Sequence, residues 1–373
     1  MIKTELCERF GIEYPIFVFT PSEKVAAAVT RAGGLGVLGC VRFNHADDLE
    51  AVLQWMDANT DGKPYGVDIV MPAKVPTEGS SVDINKLIPQ DMRDFVDKTL
   101  ADLGVPPLAD DEERSEGVLG WLHSVARSHV EVALKHPIKL IANALGTPPK
   151  DVIEQVHAAG VPVAALAGSA KHAQRHLDIG VDIVIAQGHE AGGHTGEIAS
   201  MVLVPEVVDA LDGKAAVLAA GGIGSGRQVA AALALGAQGV WMGSAFLTAA
   251  EYDLGERLPS GRSVIQEAML AATSSDTVRR RIYTGKPARL LKSRWTDAWD
   301  ADGAPEPLPM PLQNILVSEA HQRMSESADP TTVAMPVGQI VGRMNEIRPV
   351  ADIMAELVSG FEDATRRLDD IRG

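Results

Sequence analysis

Ala216-Val217-Leu218-Ala219-Ala220-Gly221-Gly222-Ile223-Gly224-Ser225-Gly226-Arg227 runs from an apolar stretch into a glycine-rich turn, and a helical pattern over 226–235 carries on to Gly236. A second apolar stretch, Gly239-Val240-Trp241-Met242, then ends in Gly243-Ser244-Ala245-Phe246. Strand, turn, helix and strand in that order make a βαβ unit. Both stretches are apolar on both parities, as parallel strands buried on two faces must be. The same alternation continues backward through the chain. It predicts strands at 15–19, 35–39, 65–70, 139–145, 161–168 and 183–188, besides those at 216–222 and 239–246. Helical patterns fall at 24–32, 46–57, 150–159, 170–179 and 205–211. Gly33, Gly160, Gly180 and Gly236 stand where a helix C′ residue takes the left-handed conformation. Eight such strands joined by right-handed crossovers predict an α/β fold, a closed (β/α)8 TIM barrel.

Two segments fall outside the repeat. Residues 72–137 contain Val105-Pro106-Pro107 and Asp110-Asp111-Glu112-Glu113, too long and too broken for one helix. They are expected to form a mostly helical insertion after strand 3, near the active-site mouth. Residues 256–373, with a Pro-rich stretch at 304–311, are expected to pack on the barrel and contribute to the substrate pocket. A long loop of that kind is unusual without a function. The barrel core is then 1–71 and 138–255.

Of the 373 residues 46% are hydrophobic and 23% charged, the profile of a globular protein with a large core. The net charge of −16 excludes nucleic acid and disfavours anionic membrane surfaces, since both would repel the chain. Arg279-Arg280-Arg281 is the one basic run, read as a solvated helix end. Only Cys7 and Cys40 are present, without metal-type spacing, which suits free thiols in a reducing cytosol. The first residues lack an apolar core of the signal-peptide kind, and no stretch of 18 residues is unbroken by polar groups. A cytoplasmic location is expected.

Chemistry concentrates in Gln187-Gly188-His189-Glu190-Ala191-Gly192-Gly193-His194-Thr195-Gly196-Glu197. This stretch follows a buried strand and so falls on the C-terminal face of the barrel, where active sites sit. Either an active-site loop carrying a histidine or a structural glycine-rich turn accounts for it, and the first is preferred. A zinc site is rejected: His189 and His194 are not at the spacing of a His-Glu-x-x-His helix, and Gly192-Gly193 would break that helix. The turns after strands 7 and 8 suit a phosphate site built from backbone N–H groups. A dinucleotide fingerprint is weak there, because Arg227 stands where a third glycine is needed. His172 and His176 read as surface or packing residues, and His123, His129 and His136 as solvated. Trp295 and Trp299, with Arg289, Lys292 and Arg294, could line a pocket for an anionic or CoA-bearing substrate, but a packed tail helix is favoured.

On Tyr14-Pro15-Ile16, Ala32-Gly33-Gly34-Leu35-Gly36-Val37, Tyr65-Gly66-Val67 and the three glycine-rich stretches, the chain resembles the nitronate monooxygenase family of FMN-dependent oxidoreductases. The resemblance implies that Gln187 contacts the flavin ring and that Gly192 and Gly193 lie against the flavin or substrate. It implies that His194 is the base or acid facing the substrate carbon, and that Gly222, Gly243 and Ser244 hold the FMN phosphate. Asp68 stands where the family often has an asparagine beside the flavin. Pro15-Ile16 continues as Phe17-Val18-Phe19, where many members have Ala-Pro-Met. The implied reaction is oxidation of alkyl nitronates by dioxygen, with a flavin-dependent acyl-CoA or enoyl-thioester oxidoreductase as the alternative. The partner is a small molecule, nitronate or CoA thioester, with no metal; a homo-oligomer stays open. A colourless barrel enzyme for a phosphorylated substrate and a non-catalytic flavin binder are the readings from other classes.

Overall fold

Strands apolar on both faces must be covered on both, and a ring of helices outside a closed barrel does this with one chain. The computed structural model describes residues 2–71, 84–108 and 123–373. Its strands are β1 (Ile16–Thr20), β2 (Leu35–Gly39), β3 (Gly66–Asp68), β4 (Leu140–Asn143), β5 (Val163–Ala167), β6 (Ile183–Gln187), β7 (Gly193–His194), β8 (Ala216–Ala220), β9 (Gly239–Met242), β10 (Thr277–Arg280) and β11 (Ala288–Leu291). All but β7, β10 and β11 close a parallel barrel in the order β1-β2-β3-β4-β5-β6-β8-β9, with β9 returning to β1. Each of the eight predicted strands is a barrel strand. The three others make a small antiparallel sheet, β10-β11-β7, which no periodicity announces.

The helices are α1 (Glu5–Phe10), α2 (Glu23–Arg31), α3 (Ala46–Asn59), α4 (Gln90–Leu103), α5 (His123–Ala133), α6 (Lys150–Ala158), α7 (Ala170–Asp178), α8 (Ser200–Leu211), α9 (Gly226–Ala234), α10 (Val264–Leu270), α11 (Arg294–Trp299), α12 (Leu312–Glu326) and α13 (Val350–Arg372). Inside the barrel, Phe17, Leu35, Val37, Leu140, Ala142, Ala164, Ile183, Ile185, Leu218 and Trp241 fill the space with apolar side chains. Leu6 and Phe10 of α1 join that cluster, and the Phe10 ring meets Phe17 edge-on at 5.3 Å. The N-terminal end of the barrel is thus plugged, and the C-terminal end is left for chemistry.

The tail wraps this frame. α13 lies along α9 and α2. Where it crosses α9, Gly226 lies so close to the backbone of Leu357, Gly360 and Phe361 that a side chain there would collide. α4 packs with α11 and α12 around Trp295 and Trp299, both buried, while α5 packs against α3. The expected insertion is covered only in part: 72–83 and 109–122, with the acidic patch at 110–113 and the His123 side chain, lie outside the described residues. Among the described residues no helix is long and apolar enough to cross a membrane.

Candidate active site

Register decides which polar side chains enter the mouth. Leu140 and Ala142 face the barrel interior, as do Ile183, Ile185, Leu218 and Ala220. Asp68 is paired with Ala142, and Gln187 with Ala220, so both continue these inward rows as their topmost members. Asp68 is 2% exposed and its Oδ2 has no hydrogen-bond partner. Burial pushes its pKa up to about 7, against the opposing pull of a hydrogen bond from the Ala144 backbone N–H. The thiol of Cys40, buried and close to this carboxylate, is pushed upward by burial and then by Asp68. Asn143, which the sequence reading passed over, braces the floor. Its Oδ1 accepts from the N–H of Met71 at 2.9 Å and of Leu145 at 3.3 Å, and its amide donates to Gly146 O at 3.0 Å.

On the late-strand side, Gly221 and Gly222 take left-handed φ values of 102° and 66°, a backbone that residues with a Cβ rarely adopt. Gln228 fixes this turn from within α9. Its Oε1 accepts from Gly224 N at 3.0 Å and Ser225 Oγ at 2.9 Å, and its amide donates to Gly222 O. A Cβ at Gly243 would meet only Phe19, at 3.5 Å from its carbonyl oxygen, so the space beside Gly243 is open. Ser244 Oγ accepts from the Gly338 N–H at 2.9 Å, which draws the 339–343 turn of the tail over the cradle.

The loop after β6 reaches the mouth from the other side. His194 and Gly193 form β7, paired with Ala288 and Arg289 of β11. His194 Nε2 lies 2.6 Å from Thr284 Oγ1. Burial, and then the Lys286 ammonium, push the His194 pKa down to about 4. Gly192 is required by a close approach, since a Cβ there would stand 2.7 Å from the backbone of Val337. Glu190 anchors the loop to the wall, accepting from Ser200 N at 3.1 Å and Ser200 Oγ at 2.9 Å, and so caps α8 from a distance. The expected helix at 205–211 starts earlier, at Ser200, because this remote carboxylate satisfies its first turn.

Two arginines of the tail hold the loop ends. Arg289 is 6% exposed, and its guanidinium donates to His189 O at 3.0 and 2.9 Å and to Thr277 Oγ1 at 3.0 Å. Arg279 donates to Thr195 O at 2.8 Å and to Thr195 Oγ1 at 3.1 Å. Arg279-Arg280-Arg281 is therefore no solvated helix end: it runs out of β10, and Arg280 pairs with Asp300 at 2.7 Å. His129 and His136 are also not solvated. His129 is buried, and His136 Nδ1 lies 2.7 Å from Asp57. His176 packs as expected, with Nε2 3.0 Å from Leu166 O, and Trp295 and Trp299 are core residues of the tail. Replacing Arg289 with methionine should leave His189 O without its donors and lower stability by about 1–3 kcal/mol, measured by denaturant unfolding. An unchanged unfolding midpoint would mean that the loop does not depend on the clasp.

Residues 3–360 match the family model described as nitronate monooxygenase. The chain belongs to the nitronate monooxygenase family. A Mycobacterium tuberculosis relative named "Putative monooxygenase Rv1533" is 46% identical over 383 residues, covering 99% of each chain. Among solved structures, nitroalkane oxidase from Streptomyces ansochromogenes matches with a TM-score of 0.78 and 26% identity, over 97% of this chain and 99% of that one. FabK from Thermotoga maritima matches with a TM-score of 0.75 and 26% identity over 100% of both chains. Membership of the nitronate monooxygenase family makes the protein a flavin-dependent oxidoreductase enzyme acting on a small molecule. None of the tail residues that touch the loop (Arg279, Thr284, Arg289, Gly338) carries a local motif; only long-range pairing exposes them. Among the described residues no group of three or more His, Cys, Asp or Glu side chains is placed to hold a metal ion.

Proposed function

We propose that the protein is an FMN enzyme that oxidises alkyl nitronates with dioxygen. The observation that carries this reading is the cradle. Gly222 turns its backbone in the left-handed conformation, Gly243 leaves a space that a Cβ would fill, and Ser244 stands beside it under the tail. Such a cradle suits one phosphate, and no dinucleotide fingerprint accompanies it, which favours FMN over FAD. Gly226, the glycine nearest to a fingerprint position, is committed to packing against α13.

FMN, when bound, supplies the two-electron redox chemistry, and the chain supplies position and electrostatics. Gly222, Gly243 and Ser244 would hold the phosphate, and Asp68 and Gln187 would lie under the ring at the top of the barrel. Gly192, Gly193 and His194 would border the substrate on the other side, with β11 behind them. The 256–373 extension would thus close the substrate pocket, the 72–137 segment would lie near its mouth, and the barrel core would be 1–71 with 138–255. The buried free thiols Cys7 and Cys40 fit a cytoplasmic enzyme. The likeness to a nitroalkane oxidase supports a substrate bearing a nitro or nitronate group.

Cofactor released by heat should chromatograph as FMN, and an alkyl nitronate should bleach the anaerobic holoprotein and consume dioxygen in air. Recovery of FAD or of no flavin would overturn the cofactor. Bleaching by enoyl- or acyl-CoA but not by nitronate would overturn the substrate in favour of a thioester oxidoreductase.

A further inference from the structure

We propose that Asp68 is the redox-linked proton acceptor of the site, taking a proton from solvent when the bound flavin is reduced and returning it on reoxidation. This rests on the reading of the barrel mouth as the flavin site, but not on the identity of the substrate. Asp68 is the sole buried carboxyl among the described residues, and it ends β3 at the top of an inward row. Its register partners are Gly39 on β2 and Ala142 on β4, and neither brings a polar side chain. The Phe19 ring lies over Gly39, 2.9 Å from where a Cβ would stand. The carboxyl receives the Ala144 N–H, and its Oδ2 receives nothing.

The donors nearby are committed elsewhere. The Cys40 thiol donates to Leu38 O at 3.6 Å, and burial keeps it protonated. The Asn143 amide donates to Gly146 O at 3.0 Å and to Met71 O at 3.3 Å, which uses both of its hydrogens. Arg42, beyond Cys40, pairs with Glu23 at 2.6 Å and stacks on Phe43 at 4.3 Å. His129 of α5 is bonded to the Phe43 backbone, and burial pushes its pKa down. Among the described residues no cation is paired with Asp68. A buried carboxylate meant to stay charged needs such partners. An oxygen left bare in the layer that a flavin would cover is one that a proton can reach.

Reduction creates the need for that proton. Two electrons from the substrate and one proton leave a neutral flavin ring singly negative. A carboxylate still ionised beside it would put two negative charges in one buried layer, and like charge raises the proton affinity of the group that can accept. The second proton, from solvent, therefore goes to Oδ2. Asp68 passes from singly negative to neutral as the ring passes the other way, so the layer carries one negative charge before and after. Burial has already brought the carboxyl to the edge of this change, with a pKa of about 7.

The test uses the full-length holoprotein labelled with ¹³C-aspartate and reduced anaerobically with dithionite. Reduced-minus-oxidised infrared spectra at pH 8 should gain the carbonyl stretch of a protonated carboxyl, shifted by the label and absent in Asp68→Asn. The midpoint potential gives a second reading. From about pH 7 upward it should fall more steeply in the native protein than in Asp68→Asn, by about 30 mV per pH unit, which is one further proton for two electrons. If the variant holds no flavin, the labelled native spectrum decides alone, because no other carboxyl among the described residues is buried. Flavin that is bound and reduced without a new aspartate signal, or a slope that Asp68→Asn leaves unchanged, overturns the proposal alone. A folded protein that takes up no flavin overturns the reading of the mouth as a flavin site, and this proposal with it.

Discussion

Replacing Gly243 with aspartate should weaken flavin binding by at least ~10²-fold while the barrel stays folded. The Cβ has room, since its nearest neighbours are the Phe19 carbonyl oxygen at 3.5 Å and Phe19 Cδ1 at 3.9 Å. The backbone at Gly243, with φ of −138°, is not in the left-handed region, so the new side chain introduces no strain of that kind. Its carboxylate would occupy the space proposed for a phosphate. Two like unit charges about 4 Å apart repel by about 4 kcal/mol at the effective dielectric of a protein surface. Rearrangement and solvent reduce this, and each 1.4 kcal/mol that remains is about tenfold in affinity. The measurement is an FMN titration by flavin fluorescence beside a thermal melt of the flavin-free protein. Unchanged affinity in a folded variant would place the phosphate elsewhere.

Asp68→Asn should stabilise the flavin-free protein, and the gain should grow as pH rises. The pKa of the folded state is raised from the ordinary carboxylate value to about 7. Between those limits the folded chain binds a proton that the unfolded chain has released, so the stability of the native sequence falls as pH climbs from about 4 to about 7. Below that window both states are protonated, and aspartate costs nothing relative to its amide. Above it, the folded state must either keep a buried charge or open. At 1.36 kcal/mol per pKa unit, the difference between variant and native protein approaches roughly 4 kcal/mol near pH 8, less whatever the new amide hydrogens lose for want of acceptors. Urea unfolding of both proteins at pH 4, 6 and 8 reads the trend. A difference that does not vary with pH would mean that Asp68 is ionised in the fold throughout. Because burial raises its pKa toward 7, Asp68 in its protonated form can present an O–H in the top layer of the barrel much as an asparagine presents an N–H.

The barrel is legible in the sequence because each strand carries its own signal. Ile183-Val184-Ile185-Ala186 is apolar on both parities and needs no partner to be recognised, and Gly180 and Gly236 mark helix ends by backbone sterics alone. The β7-β11-β10 sheet lacks such a signal. β7 has two residues, and its His194 meets a threonine 90 positions later. Arg279 reads as a charged surface residue by composition, and only the three-dimensional pairing shows it on Thr195 O. The glycines of the loop illustrate the same limit. Their pattern marks a close approach, but not whether a ligand or protein backbone makes it, and at Gly192 the approaching group is Val337. His136 likewise carries no local signal of its burial, since its partner Asp57 lies 79 positions before it.

The contact between Gly226 and α13 bears on the order in which a growing chain can finish its work. The β8 turn and the first residue of α9 leave the ribosome long before Leu357 and Gly360, yet their outer wall is made of those later residues. A partly synthesised chain holds the strands of the barrel but not the brace behind Gly226. A ligand that binds only the finished fold stabilises only finished chains, by an amount set by its concentration relative to Kd. A chain that stops within α12 lacks the wall that Leu357, Gly360 and Phe361 build against Gly226.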